Sequence, residues 1–168
     1  MPRPIEQRAH FESAADEVYA ALVDPEHLAA RLAELGGKDA AVTAHEPADD
    51  GGTRLVLRQG VPVEFLPSVV RRFTGEDLVL DRVERWRRRD GGGWTADLEV
   101  TVRGLPGSIT GTEELTDAAG GGSDLVVRAR TSVPVPLVGG KIEGIVVEHV
   151  GNLMGWEADF TRRWLART

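Results

Sequence analysis

The sequence predicts an α+β domain in which a curved, seven-stranded antiparallel sheet holds a long C-terminal helix. Three observations carry this expectation. Ile142, Val146, His149, Leu153, Trp156 and Phe160 recur at spacings of four and three, with Trp164 four further on, which is one face of an α-helix. At ~1.5 Å per residue that helix runs for roughly 35–40 Å, enough to cross a whole sheet. Much of the preceding chain alternates, most clearly in Trp94, Ala96, Leu98, Val100 and Val102 against Thr95, Asp97, Glu99, Thr101 and Arg103. Alternation of this kind marks an antiparallel sheet with one buried and one wet face. The connections Asp49-Asp50-Gly51-Gly52, Asp90-Gly91-Gly92-Gly93 and Gly120-Gly121-Gly122-Ser123 have hairpin-loop chemistry.

In chain order, Ile5 to Phe11 reads as a first strand with Ile5, Ala9 and Phe11 on one side. Ser13 is placed to cap a short helix carrying Val18, Ala21 and Leu22, with Asp16 three positions on. Asp24-Pro25 starts a second helix, since Pro is favoured at the first helical position. Leu28, Leu32 and Leu35 form its apolar face, and Gly36-Gly37 stops it. Six strands follow, at Ala41–Glu46, Thr53–Gln59, Leu78–Arg88, Trp94–Arg103, Ser108–Thr116 and Asp124–Ser132. Between the second and third of these, Val69, Val70 and Phe73 stand at helical spacing before Gly75, which predicts a short helix or flap over Leu66–Gly75. Val133-Pro-Val-Pro-Leu-Val-Gly-Gly-Lys-Ile-Glu143 is a rigid lead-in, because proline neither continues a helix nor donates to a sheet. The long helix is expected over Gly140–Ala166.

The 168 residues suit one domain, 1–168, with a sizeable core, and 41 % hydrophobic content argues against disorder. A net charge of −7 disfavours nucleic acid as a partner. Without cysteine there is no disulfide, thiol nucleophile or Cys-based metal site. No apolar run approaches a membrane span and no secretory h-region opens the chain, so a cytoplasmic protein is expected. Nothing requires a cofactor or metal. Gly139-Gly140-Lys141 lacks the upstream glycine of a phosphate loop and has Ile142 where Ser or Thr is needed. His10, His27, His45 and His149 share no metal-binding spacing.

The order strand, two helices, six strands and long helix is that of the helix-grip fold. The chain resembles the START-like (SRPBCC) superfamily, and within it an actinobacterial branch, the DUF2505 family. The resembling residues are Leu66-Pro67 with Arg71, Arg72 and Phe73; Glu84-Arg-Trp86; Gly104-Leu-Pro106; Gly111-Thr-Glu-Glu-Leu115; and the lead-in Val133–Glu143. The resemblance implies a hydrophobic cavity under the long helix and carries over no catalytic residue.

The expected cavity lining is Leu57, Phe73, Trp86, Trp94, Leu98, Val100, His149, Leu153 and Trp156. His149 falls near the middle of the apolar arc, where a ring nitrogen can serve a ligand or move a proton, or simply bond a backbone carbonyl in the core. Glu113 shares strand parity with Ile109 and Leu115 and so points inward, unless a bulge at Gly111 reverses it. A buried carboxyl is costly without partners, which makes an inward Glu113 a candidate site residue. Gly144, Gly151 and Gly155 lie opposite the apolar arc and suggest either helix flexing or close packing on a partner. The expected function is binding of a small hydrophobic molecule such as a lipid, isoprenoid or polyketide, without catalysis. The alternatives are an aromatase/cyclase- or hydratase-like enzyme using His149 or Glu113, and a homodimeric module with a filled cavity. The flap Leu66–Gly75, apolar beside Arg71 and Arg72, is expected at the cavity mouth and suits transient contact with an anionic membrane.

Overall fold

Seven strands pair in the order β1-β7-β6-β5-β4-β3-β2, all antiparallel. The computed structural model describes residues 2–167, apart from the side chains of Phe65, Phe73 and Thr74. Its elements are β1 (Arg3–Phe11), α1 (Ala15–Leu22), α2 (Pro25–Leu35), β2 (Ala41–Pro47), β3 (Thr53–Val61), a 3₁₀ turn (Val63–Phe65), α3 (Ser68–Thr74), β4 (Leu78–Arg88), β5 (Trp94–Val102), β6 (Ser108–Asp117), β7 (Ser123–Ser132) and α4 (Gly139–Leu165). The helix-grip arrangement expected from the element order is the one observed. β1 and β2 occupy opposite edges of the sheet, so α1 and α2 carry the chain across one face.

Asp24 caps α2 as its sequence predicts, accepting from the Glu26 N–H at 2.9 Å. Ser13 does not cap α1. Ala14 holds that position with no side-chain bond, and the Ala15 N–H donates instead to Asp117 Oδ1 at 2.8 Å, at the end of β6. A capping oxygen from a distant strand ties α1 to the sheet, which a local motif cannot reveal. The lead-in to α4 is fastened by the helix itself: Glu143 Oε2 accepts the Val133 N–H at 2.8 Å.

The main core gathers Phe11, Val18, Tyr19, Leu28, Leu32, Leu55, Leu57, Trp86, Trp94, Ala96 and Leu115 between sheet and helices. Tyr19 stacks on Trp94 with ring centroids 3.5 Å apart, and Trp94 Nε1 donates to Asp16 Oδ1. α3 seals the other end, where Leu66 and Val70 pack with Ile142, and Val146 lies against them.

The long helix is rotated relative to its apolar stripe. α4 packs along β1 and on α1 and α2, and its buried residues are Gly139, Ile142, Glu143, Glu157, Ala158, Phe160 and Thr161. The inward line Glu143, Val147, Val150, Met154, Glu157, Thr161 is offset by one residue, about 100°, from the line through His149 and Trp156. His149 is therefore exposed, Leu153 is only half-buried, and Trp156 is 56 % exposed. The reason is that polar residues with partners inside the molecule outcompete apolar ones for the inward face. Two of the three glycines turn inward too: a methyl group on Gly144 or Gly151 would come within 3.1 Å of Arg3 Nη1 or 2.8 Å of Gln7 Nε2. Both glycines thus allow long β1 side chains to lie close to the helix backbone.

Candidate functional site

The parity of β4 sets the site. Trp86 is buried on the inward face, so Glu84 and Arg82, two and four residues earlier, must point the same way. Each is at least nine-tenths buried. Opposite them α4 presents Glu157, α2 presents Arg31, and β6 presents Glu113. No bulge interrupts β6, which pairs Glu113 with Ala96 on one side and Val127 on the other. Glu113 therefore faces inward, as the parity of its strand predicts.

These five side chains form one buried ionic cluster. Arg82 Nη1 lies 3.0 and 3.1 Å from the two oxygens of Glu157. Arg82 Nε is 2.7 Å from Glu84 Oε2, an ion pair whose N–H is not aligned for a hydrogen bond. Trp86 Nε1 donates to Glu84 Oε1 at 2.8 Å, and Arg31 Nε stands 3.8 Å from Glu157 Oε2. Burial opposes ionisation throughout, and the partners decide the outcome. Burial raises the Glu157 pKa, but Arg82 and Arg31, with hydrogen bonds from Arg82 and Gln59, hold it below its ordinary value. Burial would lower the Arg82 pKa, yet Glu157, Glu84 and Glu113 raise it. Glu113 goes the other way: burial and then Glu84 push it up to about 8, against the pull of Arg82.

A cavity of about 280 Å³ opens beside this cluster. Its apolar wall includes Phe11, Leu22, Trp86, Leu125, Val127 and Ala158, and its polar wall includes Arg31, Arg82, Glu84, Glu113 and Glu157. Gln7 and Arg8 of β1 and Gly155, Asp159 and Arg162 of α4 complete it, which sets its outer rim between the first strand and the helix. Gly155 is exposed on that rim, and a methyl group there would meet nothing within 4 Å. Gly155→Ala should therefore raise the unfolding free energy by about 1 kcal/mol, the helix-interior difference between the two residues. Urea denaturation measures it, and a destabilised variant would contradict the open rim.

Among the residues expected to line the cavity, Trp86 and Glu113 do so. Leu57 and Trp94 are buried in the main core, Leu98 is buried, and half-buried Val100 packs on the cluster of Ile5, Ile109 and Ala129. None of these four lines this cavity. Phe73 lies outside the described side chains. His149, Leu153 and Trp156 stand off it because of the rotation of α4, so Glu113 and His149 do not meet. No described side chain of the flap Leu66–Gly75 lines the cavity, since Leu66 and Val70 pack with Ile142 at the other end of the helix. Arg31, Arg82, Glu84 and Glu157 were not anticipated as site residues. The parity of β4 about Trp86 was the available signal for two of them.

Behind the cavity, buried His27 fixes the α2–α4 contact. The Thr161 hydroxyl donates to the Glu157 carbonyl at 3.0 Å and so accepts from His27 Nε2, 3.1 Å away. That assigns the neutral Nε2–H tautomer. Burial and then Arg31 lower the His27 pKa to about 4.

Comparison with known proteins agrees with this architecture. Uncharacterised proteins of Mycobacterium bovis and Mycobacterium tuberculosis are each 28 % identical over 170 residues, covering 98 % of both chains. Among solved structures, the Zhui aromatase/cyclase of Streptomyces sp. R1128 superposes with a TM-score of 0.63 at 13 % identity, covering 99 % of this chain and 95 % of that one. The protein Ara h 8.0201 gives 0.60 at 13 % identity with 100 % of both chains covered. At these identities the likeness is one of fold. The family model described as protein of unknown function DUF2505 matches residues 6–165, and the chain, helix-grip in fold, is accordingly a member of the DUF2505 family.

Proposed function

We propose that this protein binds a small, largely apolar molecule in the cavity between the sheet and α4. The observation that carries the reading is the cavity itself: about 280 Å³, walled by Phe11, Leu22, Trp86, Leu125 and Val127. That volume is near the lower end of small-molecule sites, which run from about 300 to 1,000 Å³, so the reading favours a compact ligand over a two-chain lipid. Organic extraction of the purified protein followed by mass spectrometry should recover a stoichiometric apolar compound, and a panel of such compounds should raise the melting temperature. No extract and no shift across the panel would sink it.

A second reading is favoured by Glu113, a carboxyl held protonated near neutral pH in the cavity wall. A group poised in this way can act as a general acid, in line with an enzyme of the aromatase/cyclase or hydratase kind. On this reading Glu113 works without His149, which is exposed.

A further inference from the structure

Buried hydrogen-bonding atoms without partners are rare, because each forfeits its water without recompense. Four residues of the cavity wall have such atoms, but Arg82 Nε and Glu84 Oε2 face each other as an ion pair 2.7 Å apart, which leaves Arg31 and Glu113. Arg31, 4 % exposed, leaves Nε and Nη2 without hydrogen-bond partners, and Glu113, 3 % exposed, leaves Oε2 without one. The unused capacity of Arg31 is that of a donor only, because guanidinium has no acceptor. Glu113, while protonated, adds an O–H donor.

Charge narrows the class of molecule that can use them. The guanidiniums of Arg82 and Arg31 are matched by the carboxylates of Glu84 and Glu157. The groups facing Glu113 are Glu84 and Arg82 from β4, Glu157 from α4 and Arg31 from α2. An anionic ligand would add an unmatched negative charge beside three carboxyl groups, and a cationic one would stand beside two guanidiniums. Burying an unpaired charge is far more costly than burying a neutral dipole.

We propose that the cavity selects an uncharged molecule bearing a carbonyl-type oxygen, a ketone, quinone or ester, whose oxygen is received by Arg31 and Glu113. This deepens the ligand-binding reading and presupposes it. Ordered water is the rival occupant of the same polar wall.

Three probes of similar length separate the possibilities on the full chain: decan-2-one, decane and decanoate, titrated by calorimetry. Decan-2-one should bind about tenfold or more tighter than decane, the worth of a hydrogen bond to a charged group, and tighter than decanoate. Arg31→Met should remove the preference for the ketone over decane. Equal affinity for ketone and alkane would overturn the inference while leaving apolar binding intact, and preference for decanoate would overturn the uncharged class. Failure of all three to bind would overturn the ligand-binding reading as well. If Arg31→Met does not fold, the infrared carbonyl band of bound decan-2-one still decides. A shift to lower frequency than in hexane is expected with the wild-type protein, and an unshifted band overturns the proposal.

Discussion

Replacing Glu157 with leucine is expected to lower the unfolding free energy by about 3–5 kcal/mol, the usual loss when one partner of a buried ion pair is removed. Glu157 takes both short contacts from Arg82 Nη1 and the nearer charge contact of Arg31. Its removal leaves Arg31 without a carboxylate in the cluster's ion pairs and Arg82 with Glu84 alone. Neither arginine can shed its charge, since guanidinium does not deprotonate in proteins. The cost should shrink in the double variant Glu157→Leu, Arg31→Met, because the charge stranded by the single change is then removed with it while Arg82 keeps Glu84. Equilibrium urea unfolding of the single and double variants measures both. A single variant within 1 kcal/mol of wild type would mean that water reaches the cluster and screens it.

Stability should also decline on the alkaline side of neutrality. Glu113 changes from an ordinary carboxyl pKa of 4.5 to about 8 on folding, so between those values the unfolded chain is ionised and the folded one is not. Each pH unit in that window costs the folded state about 1.4 kcal/mol. His27 acts in the opposite direction: its pKa falls from 6.5 to about 4, and in that window the unfolded chain holds the extra proton. Between pH 4.5 and 6.5 the two slopes cancel and stability is nearly flat. From 6.5 to 8 only Glu113 remains, and the unfolding free energy should fall by about 2 kcal/mol. Glu113→Gln should abolish this decline and stabilise the protein at pH 7 by on the order of 3 kcal/mol. Denaturation across pH 5–9 tests it: a flat wild-type profile, or a variant less stable than wild type at pH 8, would show that Glu113 ionises freely in the fold.

β4 and β5 were legible because their facing follows a period of two that no register shift disturbs. Leu78–Arg88 is observed with the bounds its sequence predicts, and Trp94–Val102 ends one residue short of its predicted bound. The inward direction of Glu113 was legible for the same reason. The facing of α4 was not. A helical wheel weights Leu153 and Trp156 towards the interior and Glu157 towards water, yet Glu157 is buried because Arg82 and Arg31 wait for it on β4 and α2. Compensation across 75 residues of chain, Arg82 to Glu157, leaves no local signature. Gly144 and Gly151 hinted at the true facing, since glycine leaves room for Arg3 and Gln7 so near the helix backbone.

The pairing of β1 with β7 has a consequence for how the molecule is made. Arg3 finds its neighbour in Thr131, and Phe11 in Ser123. At a synthesis rate of about 5–20 residues per second, β1 waits on the order of ten seconds before its partner strand exists. The hairpins from β2 to β7 need only local closure and can form in the meantime, whereas β1 contributes contacts of long sequence separation, the kind that slow folding. During that interval Ile5 and Phe11 have no sheet to bury them, and α4, which covers β1, has not yet been translated. The first strand to be made is among the last to be sealed, and its exposure on the nascent chain is where a chaperone would find this protein.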